Sequence, residues 1–247
     1  MPDLSAAVTL DLWETGAGLG PVERSLALAA AADPAARDAY DVARLPLGRR
    51  DARLLRLHAA LGGWTLEATA PCPACGEPAE FAVDARALLA QAGEISPPAP
   101  VEAGGFVVAW RPPDSRDVAA AADAGDAPAA ERVLLERCVT AATGPDGDVD
   151  PTALPQEVRD ALTRAMGEAD PLAEVLVNVA CPACESAFAA DLDVAGFVWA
   201  EVHAHAQRLL REVDVLARAY GWTEAEVLAL SDRRRAEYLQ LALETAR

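Results

Sequence analysis

Two identical four-residue words, Cys72-Pro73-Ala74-Cys75 and Cys181-Pro182-Ala183-Cys184, hold four of the five cysteines in a chain of 247 residues. A Cys-x-x-Cys pair turns both sulfurs toward one point, and two such pairs make the ligand set of a tetrahedral structural zinc. The flanking patterns match. Residues 64–70 alternate as a strand, Pro71 and the first word follow, and residues 80–83 form a return strand. Residues 175–180 lead in the same way to the second word, and residues 186–192 return. Each return strand carries a Phe, and each is followed by an Asp, Asp84 or Asp193, placed to cap a helix. Paired hairpins with a knuckle at each tip are how a zinc ribbon gathers four thiolates.

With Cys72, Cys75, Cys181 and Cys184 all bound to one Zn2+, no open position remains for water, so the metal is expected to be structural. Gly76 suits the positive-φ position of such a knuckle; Glu185 stands at the matching place in the second, where that backbone is harder to reach. The competing reading is a thioredoxin-like dithiol, in which one Cys-x-x-Cys opens a helix. Here each word lies between strands and the word is doubled, which favours four-ligand binding. The wide separation implies a ribbon with a large insertion. His203 and His205, two apart on a helix, point to different sides, and neither they nor His58 are assigned a ligand role.

The rest of the chain reads as mainly helical. Helices are expected over 3–13 and 21–32, broken by Gly16-Ala17-Gly18-Leu19-Gly20, with Asp33-Pro34 ending the second. A better amphipath covers 49–61, with Leu54, Leu57 and Leu61 on one face and Arg49, Arg50, Arg53 and Arg56 on the other, before Gly62-Gly63. The arginine strip reads more readily as a solvated face than as a docking strip. A short helix over 85–92, a Pro/Gly-rich loop over 93–100 and a strand over 106–110 follow. Ser115 reads as the N-cap of a helix to 122, Pro128 opens one to 142, and 144–148 is a turn. Cys138 reads as a small core residue. A helix over 155–168 turns Val158, Leu162, Ala165 and Met166 inward.

The longest helix, 194–220, carries a stripe of Trp199, Val202, Ala206, Leu209, Val213, Leu216 and Tyr220, read first as packing against its own domain and second as an intermolecular seam. Thr223 and Glu226 form a capping box for 224–230, and Ser231 caps a helix to 246 that bears Arg233-Arg234-Arg235. The fold class is therefore α+β, a mainly helical protein around a small zinc-ribbon-like pair of β-hairpins. Its segments are an N-terminal helical part (1–63), the first knuckle hairpin and helix (64–92), a helical insertion (93–171), the second knuckle hairpin (172–193) and C-terminal helices (194–247), in one composite domain.

The formal net charge of -18 argues against a sequence-independent grip on nucleic acid or an anionic membrane, because both recruit cations. Protein partners fit better. All 21 basic residues are arginine. The amino terminus lacks a secretory pattern, no apolar run reaches membrane-spanning length, and a cytoplasmic setting is expected, where paired cysteines favour metal or redox chemistry over disulfides. No arrangement of nucleophile and base or phosphate-cradling loop stands out, so no enzyme activity is expected.

The order of several words carries a resemblance: Leu45-Pro46-Leu47-Gly48-Arg49-Arg50-Asp51, Gly62, a strand, Cys72-Pro73-Ala74-Cys75-Gly76, then Ser115-Arg116-Asp117-Val118, Leu135-Glu136-Arg137-Cys138 and Gly221-Trp222-Thr223-Glu224-Ala225-Glu226. This order resembles the baseplate hub assembly chaperone family of contractile-tailed phages, in its branch from phage tail-like contractile injection systems. The resemblance implies a non-enzymatic assembly factor or minor structural component whose partners are baseplate or hub proteins. The alternatives are a thiol oxidoreductase or redox sensor and, more weakly, a zinc-ribbon adaptor in transcription.

Overall fold

Helix ends in this chain are set by a few side chains that accept backbone amides, and these fix the element order. The computed structural model describes residues 5–32, 39–92 and 98–245. Ser5 caps α1 (Ala6–Ala17), and Pro21 opens α2 (Pro21–Ala31). The short α3 (Ala39–Ala43) leads to α4 (Leu47–Leu61), ended at Gly62. Strands β1 (Thr65–Pro71) and β2 (Pro78–Asp84) form the first hairpin, and Asp84 caps α5 (Ala85–Gln91) by accepting from the Arg86 amide.

Next come β3 (Val101–Ala103), β4 (Phe106–Trp110), α6 (Ser115–Ala122), α7 (Ala127–Cys138), β5 (Val139–Gly144), β6 (Gly147–Asp148) and α8 (Gln156–Ala169). Strands β7 (Leu176–Ala180) and β8 (Ala187–Asp191) form the second hairpin. Asp193 caps α9 (Val194–Tyr220), which Gly221 ends in the left-handed region at φ 71°. The chain closes with α10 (Glu224–Leu228) and α11 (Asp232–Thr245).

The protein is thus α+β, mainly helical with small antiparallel sheets. Its largest core gathers Leu28 from α2, Leu54, Leu55 and Leu57 from α4, Leu66 from β1 and Val198 and Val202 from α9. Leu172, Val175 and Leu192, around the second hairpin, join it, so both hairpins are rooted in the same apolar mass. A separate core lies in the insertion, where Val108 and Trp110 of β4 meet Leu135 of α7 and Val158 and Leu162 of α8.

That insertion departs from the helical expectation. Strands β3-β4-β5-β6 form a four-stranded antiparallel sheet, with a register shift between Ala109 and Trp110. The helix expected to reach residue 142 stops at Cys138, because Val139 turns to extended backbone and β5 pairs with β4. β-branched Val139, Thr140 and Thr143 suit that ladder better than a helical turn. The N-cap of α6 is Asp114, not Ser115: its carboxylate accepts from the Arg116 and Asp117 amides while Asp117 reaches back to the Asp114 amide.

Three further expectations change for similar reasons. Gly16 is part of α1 and not a break; a Cβ there would lie 2.5 Å from the Trp199 ring, so the glycine lets α9 approach. The arginine strip of α4 is not uniformly solvated. Arg50 donates to Asp51 at 2.7 Å and to Ser115 Oγ at 3.3 Å, tying α4 to α6, and only Arg56 of the four is exposed. Arg235 is buried on Glu212 and Asp232, leaving Arg233 and Arg234 outside.

The α9 stripe faces its own domain: Val194, Val198, Val202, Ala206, Leu209 and Leu216 are buried where α9 packs on α1, α2, α4, α10 and α11. Trp199, Val213 and Tyr220 of the expected stripe are not among them. The break at Asp33-Pro34, the first part of the 93–100 loop and residue 246 lie outside the described residues.

Candidate metal centre

The two hairpins are the same object built twice. The shift that carries Cys72 to Cys181 also carries the β1–β2 register onto that of β7 and β8: Pro71 faces Pro78, and Ala180 faces Ala187. The turns match bond for bond. In the first, the Cys72 amide donates to the Glu77 carbonyl at 2.9 Å and the Gly76 amide to the Cys72 carbonyl at 2.8 Å. In the second, the Cys181 amide donates to the Ser186 carbonyl and the Glu185 amide to the Cys181 carbonyl, both at 2.9 Å. Glu185 sits at φ 60° where Gly76 sits at φ 79°. The second knuckle therefore keeps the geometry despite lacking glycine, and holds a non-glycine residue in the disfavoured left-handed region.

The inner faces of the hairpins meet through Ala79, Val179 and Ala190, with Phe81 and Phe188 alongside. This contact brings the tips together, and the ligand sulfurs of Cys72, Cys75, Cys181 and Cys184 all lie within 4.8 Å of one another. Cys72 Sγ is 3.7 Å from Cys184 Sγ, and Cys75 Sγ is 3.6 Å from Cys181 Sγ. In each word the first cysteine is buried and the second exposed. All four sequence-expected ligands are thus brought together, and as a set they could hold a metal ion.

The sulfurs do not titrate alike. The Cys184 thiol is pulled down to about 6, by the Ser186 hydroxyl first and then the Ser186 amide. At Cys75 the Glu77 backbone pulls the thiol down, but the neighbouring sulfurs, Cys184 foremost, outweigh it and push the thiol up to about 12. Adding a second negative sulfur beside the first is costly, and a cation at their centre removes that repulsion.

The other singled-out side chains lie elsewhere. His58 is buried in α4 and bonds Glu201 of α9 through Nδ1, its Nε2 having no partner among the described residues. His203 Nδ1 accepts from the Trp13 indole at 2.9 Å, and Arg208 lies 3.2 Å from His205 Nδ1. Cys138 is fully buried 3.7 Å from Asp117, and burial pushes its thiol up to about 12.

Two polar anchors were missed at the sequence level. Asp117, fully buried, accepts from Arg111 at 2.6 and 3.0 Å and from Arg137 at 2.8 Å, joining α6 and α7 to the residue that follows β4. Asp170 accepts from the Gly48 amide at 2.9 Å, capping α4 from the far end of the insertion. The Asp114-x-x-Asp117 spacing was a readable capping-box signal; Asp170 offered none.

Compared with family models, curated proteins and solved structures, the chain matches none. No helix among the described residues is long and apolar enough to cross a membrane.

Proposed function

We propose that the four cysteines bind one structural Zn2+ in a ribbon-like centre and that the protein is a non-enzymatic assembly factor or minor structural component of a phage tail-like contractile injection system, working at the baseplate or hub. The convergence of the four sulfurs carries the metal part of this reading. In a tetrahedron with zinc–sulfur bonds of about 2.3 Å, sulfurs sit roughly 3.8 Å apart, close to the 3.6 and 3.7 Å separations across the hairpins. The exposed cysteines lie at hairpin turns, and each word is followed by a strand and not by the first turn of a helix, where a thioredoxin-like dithiol sits.

The assembly part is supported by the ordered words that resemble the baseplate hub chaperones and by an acidic surface suited to protein partners. Elemental analysis of the purified protein is expected to give one zinc per chain with four thiols shielded from alkylation. Deleting the gene is expected to give particles with defective baseplates; intact, normal particles would refute the assembly role.

One observation favours a second reading. Cys75 and Cys184 are exposed at adjoining tips, as redox-active sulfurs should be. A metal-free protein that reversibly cycles a disulfide in glutathione buffers would establish that reading and displace zinc.

A further inference from the structure

We infer that the groove between the outer edge of β1 and the first half of α9 receives an extended, arginine- or lysine-bearing segment of a partner protein as an added β-strand. Among the described residues β1 pairs with β2 alone. Its ladder is fixed at one end by the Ala85 amide on the Trp64 carbonyl and at the other by the Cys72 amide on the Glu77 carbonyl. In an antiparallel pair alternate residues bond inward, so this register turns the amides and carbonyls of Glu67 and Thr69 away from β2. An edge of that kind is a template for another strand.

α9 supplies the facing wall. Phe197, Ala200, Glu201 and Ala204 share one helical face, and with Trp64 and Glu67 they enclose a groove of about 570 Å³. Beside it, a second hollow of about 550 Å³ lies across the face of the first hairpin, between Glu67 and Thr69 of β1 and their partners Ala82 and Glu80 of β2. Ala200 and Ala204 are small and exposed, leaving room for a chain. At the mouth, a Cβ on Gly63 would meet nothing within 4 Å.

The lining selects the occupant. Glu67 and Glu80 are the exposed carboxylates of the two hollows, with Trp64 and Phe197 beside Glu67; Glu201 lines the first hollow while bonded to His58 from the core side, and among the described residues no arginine or histidine is part of either lining. Arg86, stacked 4.9 Å from the Trp64 ring centre, is close by but is not part of the lining. Such a wall fits basic side chains alternating with apolar ones, the period of a strand. A second copy of a chain with net charge -18 is a poor match by charge. This occupant gives the assembly reading its kind of partner and rests on that reading only there. The test uses peptides and purified protein, so it can fail while the particle phenotype stands, or hold while that phenotype fails.

The zinc-loaded full chain is incubated with a pool of nonapeptides carrying arginine at alternate positions and, separately, with the same pool carrying glutamate there. The best binder is then labelled and titrated by fluorescence anisotropy. Enrichment of at least tenfold from the arginine pool is expected. Ala204→Arg, on an exposed helix face, and Glu67→Arg are each expected to weaken the binder at least tenfold, and Glu237→Arg on α11 less than twofold. N-methylation of alternate peptide nitrogens is expected to abolish binding in one register and spare it in the other. The inference is overturned by no enrichment, by equal binding to Ala204→Arg and Glu67→Arg, or by equal effects of the two N-methyl registers. A dimer in sedimentation that Ala204→Arg dissociates would overturn it in favour of a second copy.

Discussion

Removing the metal is expected to release the hairpin tips while leaving the helical body folded. Without zinc, the tips are held together by Ala79, Val179 and Ala190. At about 0.8 kcal/mol per buried methylene-sized group this contact is worth at most ~4 kcal/mol. Ordering two turns of about six residues each costs at least ~1 kcal/mol per residue, roughly 12 in all, of which the four turn hydrogen bonds return about 4 kcal/mol. The deficit falls on the tips, because the hairpin bases are anchored by Leu66, Val175 and Leu192 in the main core. With free zinc at a thousand times its Kd, the metal adds about 4 kcal/mol. At about 2–4 °C per kcal/mol for a chain of this size, the midpoint should fall by about 8–16 °C on chelation under reducing conditions. Calorimetry measures the shift, and hydrogen exchange of peptides covering 72–77 and 181–186 measures the loosening. Coincident midpoints would refute the staple, and loss of the helical circular dichroism on chelation at 25 °C would refute its being local.

The left-handed Glu185 gives a sharper probe of the same site: Glu185→Gly removes strain of about 1–2 kcal/mol at a cost of about 0.4–1 in unfolded-chain entropy. Zinc affinity, measured by competition with a chromophoric chelator, should rise about two- to fivefold, and Gly76→Glu should lower it. Asp117→Ala strands Arg111 and Arg137 and is expected to cost about 3 kcal/mol, read as a lower urea midpoint at unchanged slope. The pH dependence has a definite sign. Burial alone would raise the Asp117 carboxyl, but Arg111, the Asp114 backbone and Arg137 together hold it far below the usual range. Its contribution is therefore complete above about pH 4 and lost as pH falls further, so Asp117→Asn should flatten the acid limb of the thermal midpoint profile. Gly48→Ala would drive a methyl into Asp170 and Leu172 and is expected to cost about 1–3 kcal/mol, measured the same way.

The features legible in sequence were those whose signal is local. The duplicated words and their Asp caps, Asp84 and Asp193, announced both hairpins, the helices after them and the four sulfurs. The long helix was legible from its stripe, although the stripe could not say whether its partner was this chain or another; Gly16 against Trp199 shows how close the internal packing is. The β3–β6 sheet was obscured because alanine-rich Val139–Gly144 has no clear period and its partner β4 lies beyond two helices in the chain. Asp170 on Gly48 was invisible for a related reason: a cap supplied across the insertion leaves no spacing to read.

The staple and the groove share an element, and that gives the metal a consequence beyond stability. β1 leads directly into Cys72, and its outward-facing amides lie one and two turns of the pleat before the knuckle. The first hairpin is held by Leu66 at its base and by the sulfurs at its tip. An edge strand fixed at both ends offers its amides in one register, whereas one fixed only at its base must be ordered by the ligand, at about 1–2 kcal/mol per residue. A segment seated along Glu67 and Thr69 is therefore expected to bind the metal-loaded protein more tightly than the chelated one. By reciprocity, the same segment should tighten the hold on the metal by an equal factor.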